Sequence, residues 1–184
     1  MKKAMKRIAA LALAAVLTFG TAVTSMAATE SPTTGKKPVT QDNVKSEDNI
    51  YTTKTYRKGW MRIKSAKAVN KKKVAIPETM TINGITYRVT SLGTGSLKKW
   101  KKVKTIVLSK NVDTVHGYTF KNCKKLRTII VKNTQPINFY KRAFKGVDTK
   151  KLTIKFSKNM SKKDFKKTKK RLRKIGFKGK IERA

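Results

Sequence analysis

Of the 184 residues one is cysteine, one is histidine and only nine are acidic, against 47 lysines and arginines. Each scarcity excludes something. A single cysteine, Cys123, can close no disulfide within the chain, and with one histidine, His116, there is no zinc-type ligand set. From Ile50 onward the acids are Glu78, Asp113, Asp148, Asp164 and Glu182, spaced 16 or more residues apart, so no close carboxylate pair for glycoside or metal chemistry is visible in the sequence. No glycine-rich phosphate loop is present. Nor does spacing assign His116 a serine or cysteine partner. The chain reads as a non-enzyme with no metal site and no cofactor.

What the chain has in excess is positive charge, +38 in all with an isoelectric point near 10.7. Such a charge repels itself and draws anions: wall polymer, nucleic acid, acidic lipid or an acidic protein. Residues 1–27 read as a signal peptide. Lys2, Lys3, Lys6 and Arg7 precede an uncharged, mostly apolar run from Ile8 to Thr24, and Ser25-Met26-Ala27 supplies the small residues of a cleavage site. Its removal leaves 43 basic residues against 9 acidic ones. No second apolar run of membrane length follows, so no membrane span is expected after signal removal. The product is expected to be secreted and held at the cell wall, if at all, by charge. Residues 28–49 are rich in Ser, Thr, Pro, Gly and Lys and read as a flexible linker.

An internal repeat follows. Laid over itself with a shift of 23 residues, the chain matches Val89 to Val112, Leu92 to Val115, Leu97 to Phe120, Trp100 to Cys123, Val103 to Leu126, Ile106 to Ile129 and Leu108 to Val131. All seven columns are apolar in both copies. Phe139, Phe144, Leu152, Ile154 and Phe156 outline a third copy after a short insertion at 147–151. Alternation at Ile106-x-Leu108 and Ile129-x-Val131 marks a strand with one buried face, and the three-residue spacing of Leu97, Trp100 and Val103 marks a turn or short helix before it. One such coil cannot bury its apolar face, whereas a stack can. The expected fold is a repeat solenoid of the α/β type, about three units over 89–160, with parallel stacked strands. Asn83-Gly84 signals a hairpin in an N-terminal β cap over 50–88, and Tyr51 to Ile63 a further one. Ser161-x-x-Asp164 opens a helix expected from Lys162 to Ile175 and stopped by Gly176, in a basic C-terminal helical cap over 161–184.

The motifs Ile76-Pro77-Glu78-Thr79, Tyr87-Arg88-Val89-Thr90-Ser91-Leu92, Phe120-Lys121-Asn122-Cys123-Lys124-Lys125-Leu126 and Ala143-Phe144-Lys145-Gly146 together resemble the BspA-like leucine-rich repeats of bacterial secreted and surface proteins. The resemblance covers Val74 to Phe156. It implies a short leucine-rich repeat array with adhesion or interaction roles and no particular ligand. In such repeats the concave face presents the outward strand residues, here Thr105, Val107, Thr128, Ile130, Thr153 and Lys155. An exposed Val107–Ile130 strip flanked by threonine hydroxyls would suit a protein or glycan contact at the bacterial surface.

The alternative is an electrostatic tether for anionic wall polymer or extracellular nucleic acid. Lys98, Lys101, Lys102 and Lys104 fall, one repeat on, over Lys121, Lys124, Lys125 and Arg127, so stacking would build a basic ladder. Lys166, Lys170 and Arg173 of the expected helix would add to it. Trp100, Phe120 and Phe144 belong to the core pattern, which leaves few aromatics to interleave with the basic residues and argues against a base-specific reader.

Overall fold

A computed structural model of the chain describes residues 35–184; the signal peptide expected at 1–27 and the first residues of the expected linker lie outside them. The fourteen residues of the seven repeat columns are all at 0% exposure, so every matched column is a core column. Burying a side chain such as Leu, Ile or Phe contributes about 1.5–3 kcal/mol. The columns become core because consecutive coils stack side by side. β7 (Thr105–Leu108) pairs in parallel with β9 (Thr128–Val131), with Ile106 opposite Ile129 and Leu108 opposite Val131.

The stack includes the degenerate third copy and gains one further strand at each end. β4 (Lys73–Ala75) joins β7 on one side, while β11 (Thr153–Phe156) and then β12 (Lys180–Arg183) join β9 on the other, all parallel. The five-stranded sheet has the order β12-β11-β9-β7-β4. A second, seven-stranded sheet forms from β1 (Val44–Lys45), β2 (Tyr51–Tyr56), β3 (Trp60–Ala66), β5 (Thr79–Ile82), β6 (Ile85–Leu92), β8 (Thr114–Val115) and β10 (Asn138–Phe139). Its strands β3, β6, β8 and β10 are parallel neighbours. Between β6 and β7, and between β8 and β9, the chain crosses from one sheet to the other by hydrogen-bonded turns rather than helices, with Trp100 N donating to Leu97 O and Cys123 N to Phe120 O.

Both expected hairpins form. β5 and β6 are antiparallel, with Ile82 opposite Ile85. The intervening Asn83 and Gly84 have φ of 52° and 77°, the pair of positive values a type I′ turn needs. β2 and β3 are antiparallel as well. The second hairpin is no separate lid, since β3 and β6 also carry the parallel stack. Part of the stretch expected as a linker is seated on the sheet: β1 pairs with β2, and Val39 N donates to the Tyr87 hydroxyl at 3.0 Å.

The helix α1 spans Lys162–Lys174. The Ser161 hydroxyl accepts from Asp164 N at 3.0 Å and donates to the Asp164 carboxylate at 2.7 Å. Its C-terminal end closes on Gly176 at φ 86°, with Phe177 N reaching back to Leu172 O. α1 packs beside β10, and Leu172 and Thr168 are its buried residues. It thereby covers the edge strand of the larger sheet. Phe144 stacks on Phe120 at 5.6 Å and meets Phe177 at 5.1 Å, carrying the core from the repeats into the C-terminal segment.

That segment supplies a strand of the stack as well as the helix, and Gly179 is what permits it. A β-carbon there would stand 2.0 Å from Leu152 O and 2.2 Å from Thr149 O. Gly179→Ala is expected to lower stability by about 3 kcal/mol, the upper end of overpacking costs. Ser161→Ala, which removes only a cap, should cost about 1 kcal/mol. Urea denaturation of the two variants checks both values and their order.

Candidate functional site

The alternation of each strand in the five-stranded sheet puts one residue in and the next one out. Ile106, Ile129, Ile154 and Ile181 point into the core. The outward positions fall into two rows set by the pairing register. One runs Lys73, Thr105, Thr128, Thr153, Lys180, and the other Ala75, Val107, Ile130, Lys155, Glu182. All six residues expected on this face are therefore brought together, with neighbours in a row about 4.8 Å apart.

The rows depart from expectation at Val107. Val107 is buried at 7% exposure, whereas the strip requires it to be open. β4 adds a strand beside it, with Ala75 directly opposite and Ile76 N donating to Val107 O, so Val107 lies inside the sheet and not at its margin. Ile130 is half-buried and is left as the larger apolar group of the strip. Lys155 is not a lone charge. It lies 3.0 Å from Glu182, which Lys180 also contacts at 2.6 Å. The Lys180 ammonium, and after it Lys155, hold the Glu182 carboxyl below the usual carboxylate range. Glu182, Lys180, Lys73 and Ala75 escaped the sequence reading because the parallel partners of β4 and β12 lie 32 and 27 residues away, off the 23-residue period.

The cations of the ladder line the turns that lead into this sheet. Lys104 N donates to Lys72 O and Arg127 N to Lys104 O, so Lys72, Lys104 and Arg127 follow one another across adjacent coils. Lys98, Lys99, Lys101 and Lys121 surround an open cavity together with Asn122 and Ala68. All eight ladder residues are exposed, and among the described residues none has a carboxylate within 4.0 Å. Lys102 Nζ instead meets Asn70 Oδ1 at 3.1 Å, and Arg127 turns back on the Lys124 and Leu126 carbonyls.

The helix cations are set apart from these, on the side of β10, where Arg171 donates to Asn138 Oδ1 at 2.8 Å. Lys166 and Lys170 are exposed. Arg173 donates to Phe177 O at 2.7 Å and lies over the Phe177 ring, so it is engaged in closing the helix.

A profile of the BspA-type leucine-rich repeat region, six copies, matches residues 70–183. The chain belongs to the BspA-type leucine-rich repeat family. The matched region begins ahead of β4 and ends in β12, which is the extent of the five-stranded sheet. No curated protein and no solved structure matches the chain at a significant level. Among the described residues no helix is long and apolar enough to cross a membrane, and no three His, Cys, Asp or Glu side chains gather as a metal site would need.

Within this repeat array the lone cysteine is a core residue. Cys123 is fully buried, its Sγ lies 3.3 Å from Leu97 O, and burial pushes the thiol up to about 12. Burial likewise pushes Tyr51 up to about 12. A folded-state value above the unfolded one leaves the stabilisation intact below the unfolded pKa and removes it as pH rises toward the folded one. Urea midpoints should therefore hold up to about pH 9 and fall between about pH 9 and 12, with a shallower fall in Cys123→Ala. A thiol reagent at neutral pH should modify Cys123 only after denaturation.

Proposed function

We propose that this protein is an exported, non-catalytic binding protein of the bacterial surface, and that the basic edge of its repeat stack holds an anionic cell-wall polymer. The observation that supports the reading is the eight exposed cations of the expected ladder, none of which has a carboxylate within 4.0 Å among the described residues. Like charges directly opposed across a stack destabilise it by tenths of a kcal/mol each. A polymer with regularly spaced anions relieves that repulsion and releases its own counterions on binding. Membership in a family of repeat proteins supports a binding role over a catalytic one, and the leader-like residues 1–27 support export.

A second reading, contact with a protein or glycan through the outer face of the five-stranded sheet, is favoured by one arrangement. Ile130 sits between Val107 and Lys155 in its row, beside a parallel row of three threonines. That gives a small apolar step edged by hydroxyls.

Titration against a wall polyanion and duplex DNA at increasing salt separates the two. On the polymer reading, a log–log plot of affinity against salt has a slope steeper than about −4, and neutralising Lys124 and Lys125 lowers it by about 1 each. Tighter binding of DNA than of wall polymer would move the ligand to extracellular nucleic acid. Weak binding at every salt sinks the polymer reading. In that case Ile130→Asp should abolish capture of a protein or glycan ligand whose binding is indifferent to salt.

A further inference from the structure

The seven-stranded sheet has an outer face too, and it carries the largest concentration of recognition chemistry outside the surfaces already described. Alternation turns Trp60 and Arg62 of β3 and Arg88 of β6 away from the core while Met61, Ile63, Val89 and Leu92 point inward, and a shift in the β3–β6 register between Met61 and Arg62 lets Thr90 and Ser91 both line this side. His116 and Tyr140 continue the face just past β8 and β10. Together these residues line an open groove of about 620 Å³.

Two ring systems bound it. Trp60 is stacked on Tyr56 with centroids 3.7 Å apart, and Tyr140 on His116 at 4.9 Å with planes 17° apart. A ring backed on one side by another ring is a stiff platform. Tyr140 is 53% exposed and is one of two large hydrophobic residues so exposed among those described. From β3 to β10 is three interstrand steps, about 14 Å. That is the reach of a short chain of pyranose rings.

The charges between the platforms narrow the ligand. Arg62 is anchored through Nε to Ser91 Oγ at 3.3 Å, and Arg88 stands one strand away in the same groove. Planar guanidinium forks are suited to carboxylates. Asp113 also lines the groove, its Oδ1 accepting the Thr114 hydroxyl at 2.6 Å. In a chain so poor in acids, this carboxylate is informative. It accepts hydrogen bonds from hydroxyl groups and repels a string of phosphates. The Asn111 side chain, held through Nδ2 by Glu78 O at 3.0 Å, adds a fixed amide at the rim. Rings with hydroxyls and a carboxylate meet all of these features; a nucleic-acid strand meets the platforms and arginines but opposes Asp113.

We propose that this groove binds a short oligosaccharide bearing carboxylate groups, with sugar faces on Trp60 and Tyr140, a carboxylate on Arg62, and hydroxyls on Asp113. It is a site separate from the basic edge and does not depend on it.

The test uses the mature chain and tetragalacturonate as the probe. The chain has two tryptophans, and Trp100 is fully buried with its indole donating to Lys67 O, so a change in tryptophan emission on adding sugar reports Trp60. A saturable change is expected. By calorimetry, Tyr140→Ala, Arg62→Gln and methyl esterification of the sugar should each weaken binding about tenfold or more, the scale of one lost ring contact or charged hydrogen bond. Lys124→Glu with Lys125→Glu should leave the affinity within about threefold at moderate salt, where distant surface charges are screened. Circular dichroism confirms that each variant is folded. The proposal is overturned by the absence of a saturable change in the wild-type chain, by equal affinity for the esterified sugar, or by an oligothymidylate that binds more tightly than the sugar.

Discussion

Everything in this structure depends on one coil lying flat against the next. A single turn of the repeat has an apolar face and no partner for it within itself, so the core exists only between coils. Register then follows from the side chains. Ile106, Ile129 and Ile154 must share one layer, because a slip of one residue would turn each of these strands inside out. The turns obey the same constraint, since their backbone groups hydrogen-bond to the neighbouring coil, as Leu97 N does to Thr119 O and Phe120 N to Ala143 O.

Stacking also organises charge. A repeat that keeps its apolar columns in register keeps its surface columns in register too, so lysines repeated in sequence become rows in space. Along the edge, among the described residues, no carboxylate lies within 4.0 Å of these cations. On the outer face of the five-stranded sheet the last strand ends the row differently, with Glu182 between Lys155 and Lys180. On the other sheet Asp113 stands among arginines. The few acids of the folded part are thus placed at particular points on a field that is otherwise of one sign, and their positions divide a surface suited to polyanions from surfaces that offer hydrogen-bond acceptors as well.

Legibility in the sequence followed the strength of the local signal. The Asn-Gly turn, the Ser161–Asp164 cap and the seven apolar columns were readable because a few adjacent or regularly spaced residues carry each of them. β4 was not, since Lys73-Val74-Ala75 has one sizeable apolar residue and gains its strand character from β7. The membership of β12 in the stack depends on Gly179 letting the chain pass over two carbonyls. Val107 has the alternation of an exposed residue, and only the presence of β4 beside it accounts for its burial. Among the candidate sites, the three middle positions of each row on the five-stranded sheet and the cations of the ladder were visible as repeats, whereas the row ends and the groove over the larger sheet were not.

By itself the sequence determined the coil: its period, the residues that face inward, the turn and cap chemistry, and the excess of positive charge. Those are local or periodic properties, settled by side-chain type and spacing. The tertiary structure decided which coil meets which when the step departs from 23 residues, to 25 between β9 and β11, 27 between β11 and β12 and 32 between β4 and β7. It also decided that Trp60 and Tyr140, eighty residues apart, bound a common groove. Parallel pairing joins residues of distant sequence through crossovers of unequal length, and no local spacing encodes the result.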